Sequence, residues 1–373
     1  MNKKRGNGEG SIHRCKDGGW CAQYTVYTAK GRKRKTLYGR TRAEVAAKLS
    51  KALSERESGI HFDAENLTLE DYLDRWLMAS VRDTVRQRTW ERFEQIARLH
   101  IKPALGRLRL KALAPTHVRS LYREKLDTGL APRTVQYIHT TLHKALKDAV
   151  ADALVPRNVT EGIKAPRPKR KEVNALTADQ AQTFLSMARG DRFKALYVVA
   201  VHCGLREGEL LGLRWEDIDL DTGTLAVRRT LSETKSSGHI FEPPKNGKGR
   251  NVRLAIEALK RHLAAQNEER LRLGILWRDQ GLVFPSRKGT TMNAKNLTAR
   301  SFKPILERAG LPNIRLHDLR HTCATLLLSK GVHPKLVQEL LGHATISITL
   351  DTYSHVLPGM GDQTATAMES LLS

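Results

Sequence analysis

Acidic residues are in short supply. Asp and Glu number 39 against 64 Lys and Arg, and the 373-residue chain carries a formal net charge of +25 at neutral pH. That imbalance favours a polyanionic partner over a basic surface that merely faces water. Cysteine is scarce too, with Cys15, Cys21, Cys203 and Cys323 making up the whole set. Four thiols in a chain of this length build no disulfide framework. The one close pair, Cys15 and Cys21 beside His13, lacks the tighter spacing and further ligands of a zinc site. Long apolar runs are missing, which argues against a membrane span. Met1-Asn2-Lys3-Lys4-Arg5 leads into no apolar signal core. The expected location is cytoplasmic and reducing, away from the membrane.

What is present suits two or three domains. Residues 1–60 hold fifteen Lys and Arg and five Asp and Glu, so the excess charge is concentrated there. Trp20 to Tyr27 alternates as a strand does, Lys30-Gly31-Arg32 makes a turn, and Arg34 to Tyr38 forms a second strand. Thr41-Arg42-Ala43-Glu44 opens a helix that runs to Leu53. A small basic sheet with one helix can enter a DNA major groove or simply touch phosphates. Gly59 to Asn66 is expected to be a linker.

Residues 67–165 carry helical periodicity for four or five helices. Leu73, Trp76 and Leu77 share one face, as do Tyr137, Thr141, Leu142 and Ala145. Ile101-Lys102-Pro103-Ala104-Leu105-Gly106 breaks the pattern. The interleaved Arg86, Arg88, Arg92, Lys102, Arg133, Lys144 and Lys147 suit solvent or phosphate contacts. Ala165 to Lys171, rich in Pro, Lys and Arg, suits an extended linker. From residue 172 to 373 the chain is mainly helical with a small sheet, including a buried helix over Phe193–His202 and strands near 224–227 and 249–254. The expected fold class is multidomain α+β: a sheet-plus-helix domain over 1–60, an all-α bundle over 67–165 and a mainly α domain over 172–373.

The densest chemistry lies between Leu316 and Tyr353. His317 and Arg320 are three apart and share a helix face. Leu340-Leu341-Gly342 predicts a helix ending on a glycine cap, which holds His343 in the turn beyond. Thr345 or Ser347 can cap the next short helix, which bears Tyr353. One arginine, two histidines and a tyrosine thus come within reach of a single oxyanion. Upstream, Gly204-Leu205-Arg206-Glu207-Gly208-Glu209 offers a second arginine, with Glu209 placed to steady its fork.

This ordered set resembles the tyrosine recombinase (phage integrase) family, and in particular integrases of phages and conjugative transposons with an N-terminal arm-binding domain. Arg206 matches the family's first arginine box, His317 and Arg320 its His-x-x-Arg, and His343 its Leu-Gly-His. Tyr353 matches the nucleophile. The family's mobile hairpin lysine aligns with Lys245, Lys248 being the alternative. The resemblance implies a site-specific recombinase that cleaves and rejoins double-stranded DNA through a 3′-phosphotyrosyl link, with neither cofactor nor metal. It implies a tetramer on core and arm attachment sites, an excisionase and a DNA-bending host factor as partners, and association with the nucleoid. The same chemistry without strand exchange would be a type IB topoisomerase-like enzyme, and the scaffold without chemistry a DNA-binding regulator. His321 and His355 match no position of the catalytic set. His321 is expected to serve the helix structurally, and His355 stays open.

Overall fold

A computed structural model describes residues 10–15, 17–28, 31–57, 66–168, 174–244, 249–253, 256–354 and 368–372. Lys245, Lys248, His355, residues 59–65 of the first expected linker and 169–171 of the second lie outside the described residues. The chain divides into two compact units, Met1–Arg170 and Lys171–Ser373. Both helices and small antiparallel sheets are present, in agreement with the expected class.

The first unit begins with an antiparallel sheet, β1 (Ser11–Arg14), β2 (Trp20–Thr28) and β3 (Gly31–Gly39), in sequence order. Alternation along β2 turns Ala22 and Tyr24 onto Val45, Leu49 and Ala52 of α1 (Arg42–Glu57). The start of α1 is fastened as its sequence suggests. The Thr41 hydroxyl accepts from the Glu44 N–H at 3.2 Å, and the Glu44 carboxylate reaches back to the Arg40 N–H at 3.0 Å.

A second apolar cluster in this unit gathers five helices, α2 (Leu69–Trp76), α3 (Gln87–Ile96), α4 (Lys102–Leu105), α5 (Pro115–Asp127) and α6 (Pro132–Ala151). Leu73 and Trp76 of α2 are buried against the apolar stripe of α6, whose members include Ile138, Leu142 and Ala145. Each such side chain contributes roughly 1.5–3 kcal/mol by leaving water. Two polar tips are satisfied across the pair: the Tyr72 hydroxyl donates to Ala145 O at 2.6 Å and the Trp76 indole to Asp148 at 2.7 Å.

The expected break at Ile101–Gly106 comes only at its far end, where the helix stops at Gly106. The helix passes from α3 through a π-type turn, Ala97–Ile101, directly into α4. The Lys102 N–H reaches Ala97 O, five residues back. Pro103 has no N–H to give, and the wider turn sits where the ordinary ladder would have lost a bond.

The second unit is built around α8 (Lys194–Cys203), buried on nearly every side as its unbroken apolar run requires. Phe184 of α7 (Ala178–Met187), Tyr197 of α8 and Phe302 pack ring to ring, with Phe184 centroids 5.1 and 5.4 Å from the other two. α9 (Glu207–Leu211) follows α8 at once. A three-stranded sheet has the order β4 (Ile218–Asp219), β5 (Thr224–Val227), β8 (Arg250–Arg253). Between β5 and β8 the chain makes a separate two-stranded sheet, β6 (Thr230–Thr234) with β7 (Gly238–Glu242). It lies against α9 so closely that a Cβ on Gly212 would stand 2.9 Å from Leu231 N. Then come α10 (Ile256–Leu273), α11 (Ala294–Leu297), which continues through a π-type turn into α12 (Lys303–Arg308), and α13 (Asp318–Ser329). The last elements are α14 (Pro334–Leu341) and α15 (Ile346–Tyr353), which pack on α13, while α13 itself packs on α8.

Candidate active site

Two glycine caps bring distant helix ends together. α8 stops at Gly204, whose φ of 57° is the left-handed conformation that favours glycine. A Cβ there would meet Leu341 at 2.5 Å and Cys323 Sγ at 3.3 Å, so the end of α8 abuts both α14 and α13. α14 stops in the same way at Gly342, φ 64°, as its sequence predicts. The carbonyl of each capping glycine takes a guanidinium. Arg320 Nη1 donates to Gly204 O at 2.8 Å, and Arg206 Nη2 donates to Gly342 O at 3.0 Å.

Arg206 caps the start of α9. Its N–H and its Nη1 donate to the two oxygens of Glu209, at 2.9 and 2.7 Å. The same carboxylate, with its side chain 1% exposed, is gripped from β8 by Arg250, at 2.7 and 3.1 Å. Arg250 also donates through Nε to Leu340 O at 2.7 Å. One buried acid therefore orients two forks, and one of those forks holds the last turn of α14. Burial pushes Glu209 upward, but hydrogen bonding and charge from Arg250 and Arg206 outweigh it and bring the acid down to about 2. Burial, then repulsion from Arg206, lowers Arg320 to about 9, still charged at neutral pH.

His343 follows the α14 cap. Its N–H donates to Gln338 O at 3.1 Å, and its Nδ1 lies 2.9 Å from the Thr349 hydroxyl. Thr345 sits at the start of α15 but makes no side-chain cap bond there. His317 precedes α13, which is anchored by Asp318 accepting the Arg315 N–H at 2.7 Å and its guanidinium at 2.7 and 3.1 Å. Burial brings both imidazoles to about 4; neighbouring His321 and Arg320 add to this at His317, and Arg320 and Arg206 at His343. Both are neutral at pH 7, with one N–H each to donate.

Tyr353, 1% exposed, is packed among Ala324, Leu328, Val337 and Leu341. Its hydroxyl lies 2.6 Å from Nδ1 of His321, and the His317 ring stands edge-on to His321 with centroids 5.4 Å apart. Burial raises the phenol to about 12, while the charge of Arg320 pulls it the other way. Arg206, His317, Arg320, His343 and Tyr353 are thus gathered within one unit of one chain, linked through Gly204, Gly342 and His321. Lys245 cannot be placed among them, since it lies outside the described residues. Among the described residues no group of three or more His, Cys, Asp or Glu side chains is disposed to hold a metal ion.

Two members of the cluster, Arg250 and the phenol-contacting His321, were missed by sequence reasoning. Arg250 shares the inward face of β8 with Val252, and Glu209 is followed by Leu210 and Leu211, both buried. A base and an acid each facing inward on separate apolar elements signal a pair. His321 was assigned to helix structure, yet it touches the phenol. Its position one turn after His317 placed it on α13, but nothing local named a partner 32 residues onward.

Comparison with known proteins bears on this site. Residues 174–359 match the model of the phage integrase family, and residues 68–126 that of the phage integrase N-terminal SAM-like domain. A tyrosine recombinase XerC-like protein of Caldanaerobacter subterraneus is 32% identical, over 91% of each chain. The ICEBs1 integrase of Bacillus subtilis is 26% identical, over 79% of this chain and 81% of its own. The chain shares its fold with the Tn1549 transposon integrase solved with a circular intermediate DNA, at a TM-score of 0.68 and 21% identity, over 82% of this chain and 99% of that one. It shares it as well with a lambda integrase tetramer bound to a Holliday junction, at 0.54 and 21%, over 90% and 96%. The chain belongs to the phage integrase family, the tyrosine recombinases. It is a site-specific recombinase, an enzyme of DNA strand breakage and rejoining.

Proposed function

We propose that this recombinase is an integrase acting through Tyr353. The phenolic oxygen attacks the scissile phosphate and makes a 3′-phosphotyrosyl link. Arg206 and Arg320 take the charge that builds on the non-bridging oxygens, which needs no metal. His317 and His343, neutral at pH 7, donate hydrogen bonds to the same oxygens. Lys245 is the acid for the departing 5′ oxygen, and Lys248 its alternative. The link conserves bond energy, so rejoining to another 5′ hydroxyl needs no nucleotide.

The observation that carries this reading is the gathering of two fixed guanidinium groups, two neutral imidazoles and a phenol in one unit. In the working arrangement residues 1–60 bind arm sites, 67–165 and 172–373 close on core sites, and four protomers act on two duplexes. The lambda integrase tetramer on a Holliday junction supports that stoichiometry. The strongly basic N-terminal stretch favours an integrase with separate arm sites, and with it an excisionase and a DNA-bending host factor in the nucleoid.

The test uses a nicked duplex made from inverted repeats flanking the coding region. The wild-type chain traps as a covalent complex, with or without EDTA. Tyr353→Phe binds the duplex and forms none. An adduct persisting in that variant, or cleavage abolished by chelation, would overturn the assignment. Relaxation of supercoiled DNA without site dependence would favour the topoisomerase-like alternative.

A further inference from the structure

The phenol of Tyr353 is enclosed, and a buried O–H requires an acceptor. Among the described residues, Nδ1 of His321 at 2.6 Å is the one side-chain acceptor in hydrogen-bond reach. A neutral imidazole that accepts at Nδ1 carries its own proton on Nε2. The ring is held in place rather than free. It rides on α13 directly after Arg320, one turn beyond His317, whose ring packs edge-on against it.

We propose that His321 is the proton acceptor for the nucleophile. This rests on Tyr353 being that nucleophile. As a phenolic lone pair forms the bond to phosphorus, the O–H proton passes to Nδ1 of His321. The bond from phosphorus to the 5′ oxygen breaks with its electron pair going to that oxygen, which is protonated by the lysine acid proposed above or by water. In rejoining, the attacking 5′ hydroxyl gives its proton back to the lysine amine or to water, and the imidazolium returns its proton to the departing phenol. His317 and His343 are left to serve the phosphate oxygens.

The charged surroundings of His321 suit a base that must be neutral before reaction. Arg320 on α13 and His317 just ahead of the helix flank it, and Arg315 stands further ahead, paired with Asp318. Tyr353 faces it from α15, and His343 is within electrostatic reach from the end of α14. The other charged pair of α14, Lys335 with Glu339, is exposed, and α8 meets α13 on the Cys323 side, through His202 O. Burial is the largest influence and lowers the imidazole, with Arg315 and Arg320 in the same direction and Asp318 opposing.

The experiment follows covalent-complex formation in a single turnover on the nicked duplex, with full-length protein, from pH 5 to 9. His321→Asn is compared with wild type on a normal substrate and on one whose 5′ bridging oxygen is sulfur, a leaving group that needs no acid. His321→Asn is expected to bind DNA as wild type does and to cleave at least ~100-fold more slowly. Sulfur substitution leaves that defect in place, and imidazole added to His321→Gly restores part of the rate. The wild-type rate rises with pH through a limb below 6.5 and then levels off, which the variant lacks.

Wild-type rates in His321→Asn, or faster ones, would show that the contact merely parks the tyrosine and would overturn the proposal. So would rescue of the variant by the sulfur substrate, which would move His321 to the leaving group. If His321→Asn fails to fold, the wild-type profile decides, and a rate flat from pH 5 to 7 refutes the base. A wild-type chain that forms no adduct at all would instead refute the nucleophile itself.

Discussion

The helical bundle of the first unit and the active-site cluster of the second hold their charged pairs in different surroundings. On α5, Arg123 and Asp127 meet at 3.2 Å with side chains 80% and 61% exposed. In the second unit Arg250 and Glu209 meet at 2.7 Å with side chains 11% and 1% exposed. The first kind of pair is screened by water and contributes almost nothing. The second has paid its desolvation and cannot lose a partner cheaply. The bundle is therefore held by shape and apolar area, through Leu73, Trp76 and the stripe of α6. The site is held by charges that must be buried where a phosphate is to be met. A conformation that good packing alone would never favour is retained there because every guanidinium has a carboxylate or a carbonyl.

That contrast can be attacked with substitutions that conserve volume. Glu209→Gln keeps the shape but leaves Arg206 and Arg250 without their counter-charge, and urea unfolding is expected to show a loss of roughly 3–5 kcal/mol. A loss under about 1 kcal/mol would mean that the two forks are held by carbonyls alone. Leu73→Met, the matching change in the bundle, is expected to cost less than about 1.5 kcal/mol by the same measurement. Arg123→Ala is expected to stay within about 0.5 kcal/mol of wild type.

Acid sharpens the same comparison. His317 and His343 titrate at about 4 when folded, against an ordinary 6.5. The unfolded chain thus binds their protons first, and the stability they contribute is full above pH 6.5 and lost as pH falls to about 4. Glu209, held at about 2 against an ordinary 4.5, adds a further loss that starts at 4.5. Calorimetry between pH 7.5 and 4 is expected to show a falling melting temperature, with a smaller fall in His343→Asn. An equal fall in that variant would detach the histidine from the effect.

The motifs legible in the sequence were those whose geometry is local. His317 and Arg320 are set by one helical turn, and Gly342 by a cap that its own neighbours specify. The sheet over Trp20–Thr28 and Gly31–Gly39, and the buried α8, follow from alternation and from an apolar run. What escaped were pairings across long stretches of chain. Arg250 finds Glu209 across 41 residues, and Tyr353 finds His321 across 32. Neither spacing leaves a periodic trace. The pairing of β6 with β7 is not legible either, because alternation tells a strand from a helix but not which strand it will pair with. Within Ile101–Gly106 the sequence marks a break but not its place, since the wider turn that carries the helix past Pro103 to Gly106 has no sequence signature of its own.

The account stands on the oxygen that becomes covalently bound to DNA. Protease digestion of the trapped complex, followed by mass spectrometry of the nucleotide-bearing peptide, identifies that atom directly. The expected adduct is a 3′-phosphate ester on Tyr353, in the peptide that also carries His343. An adduct on any other tyrosine, or on a serine, would contradict it.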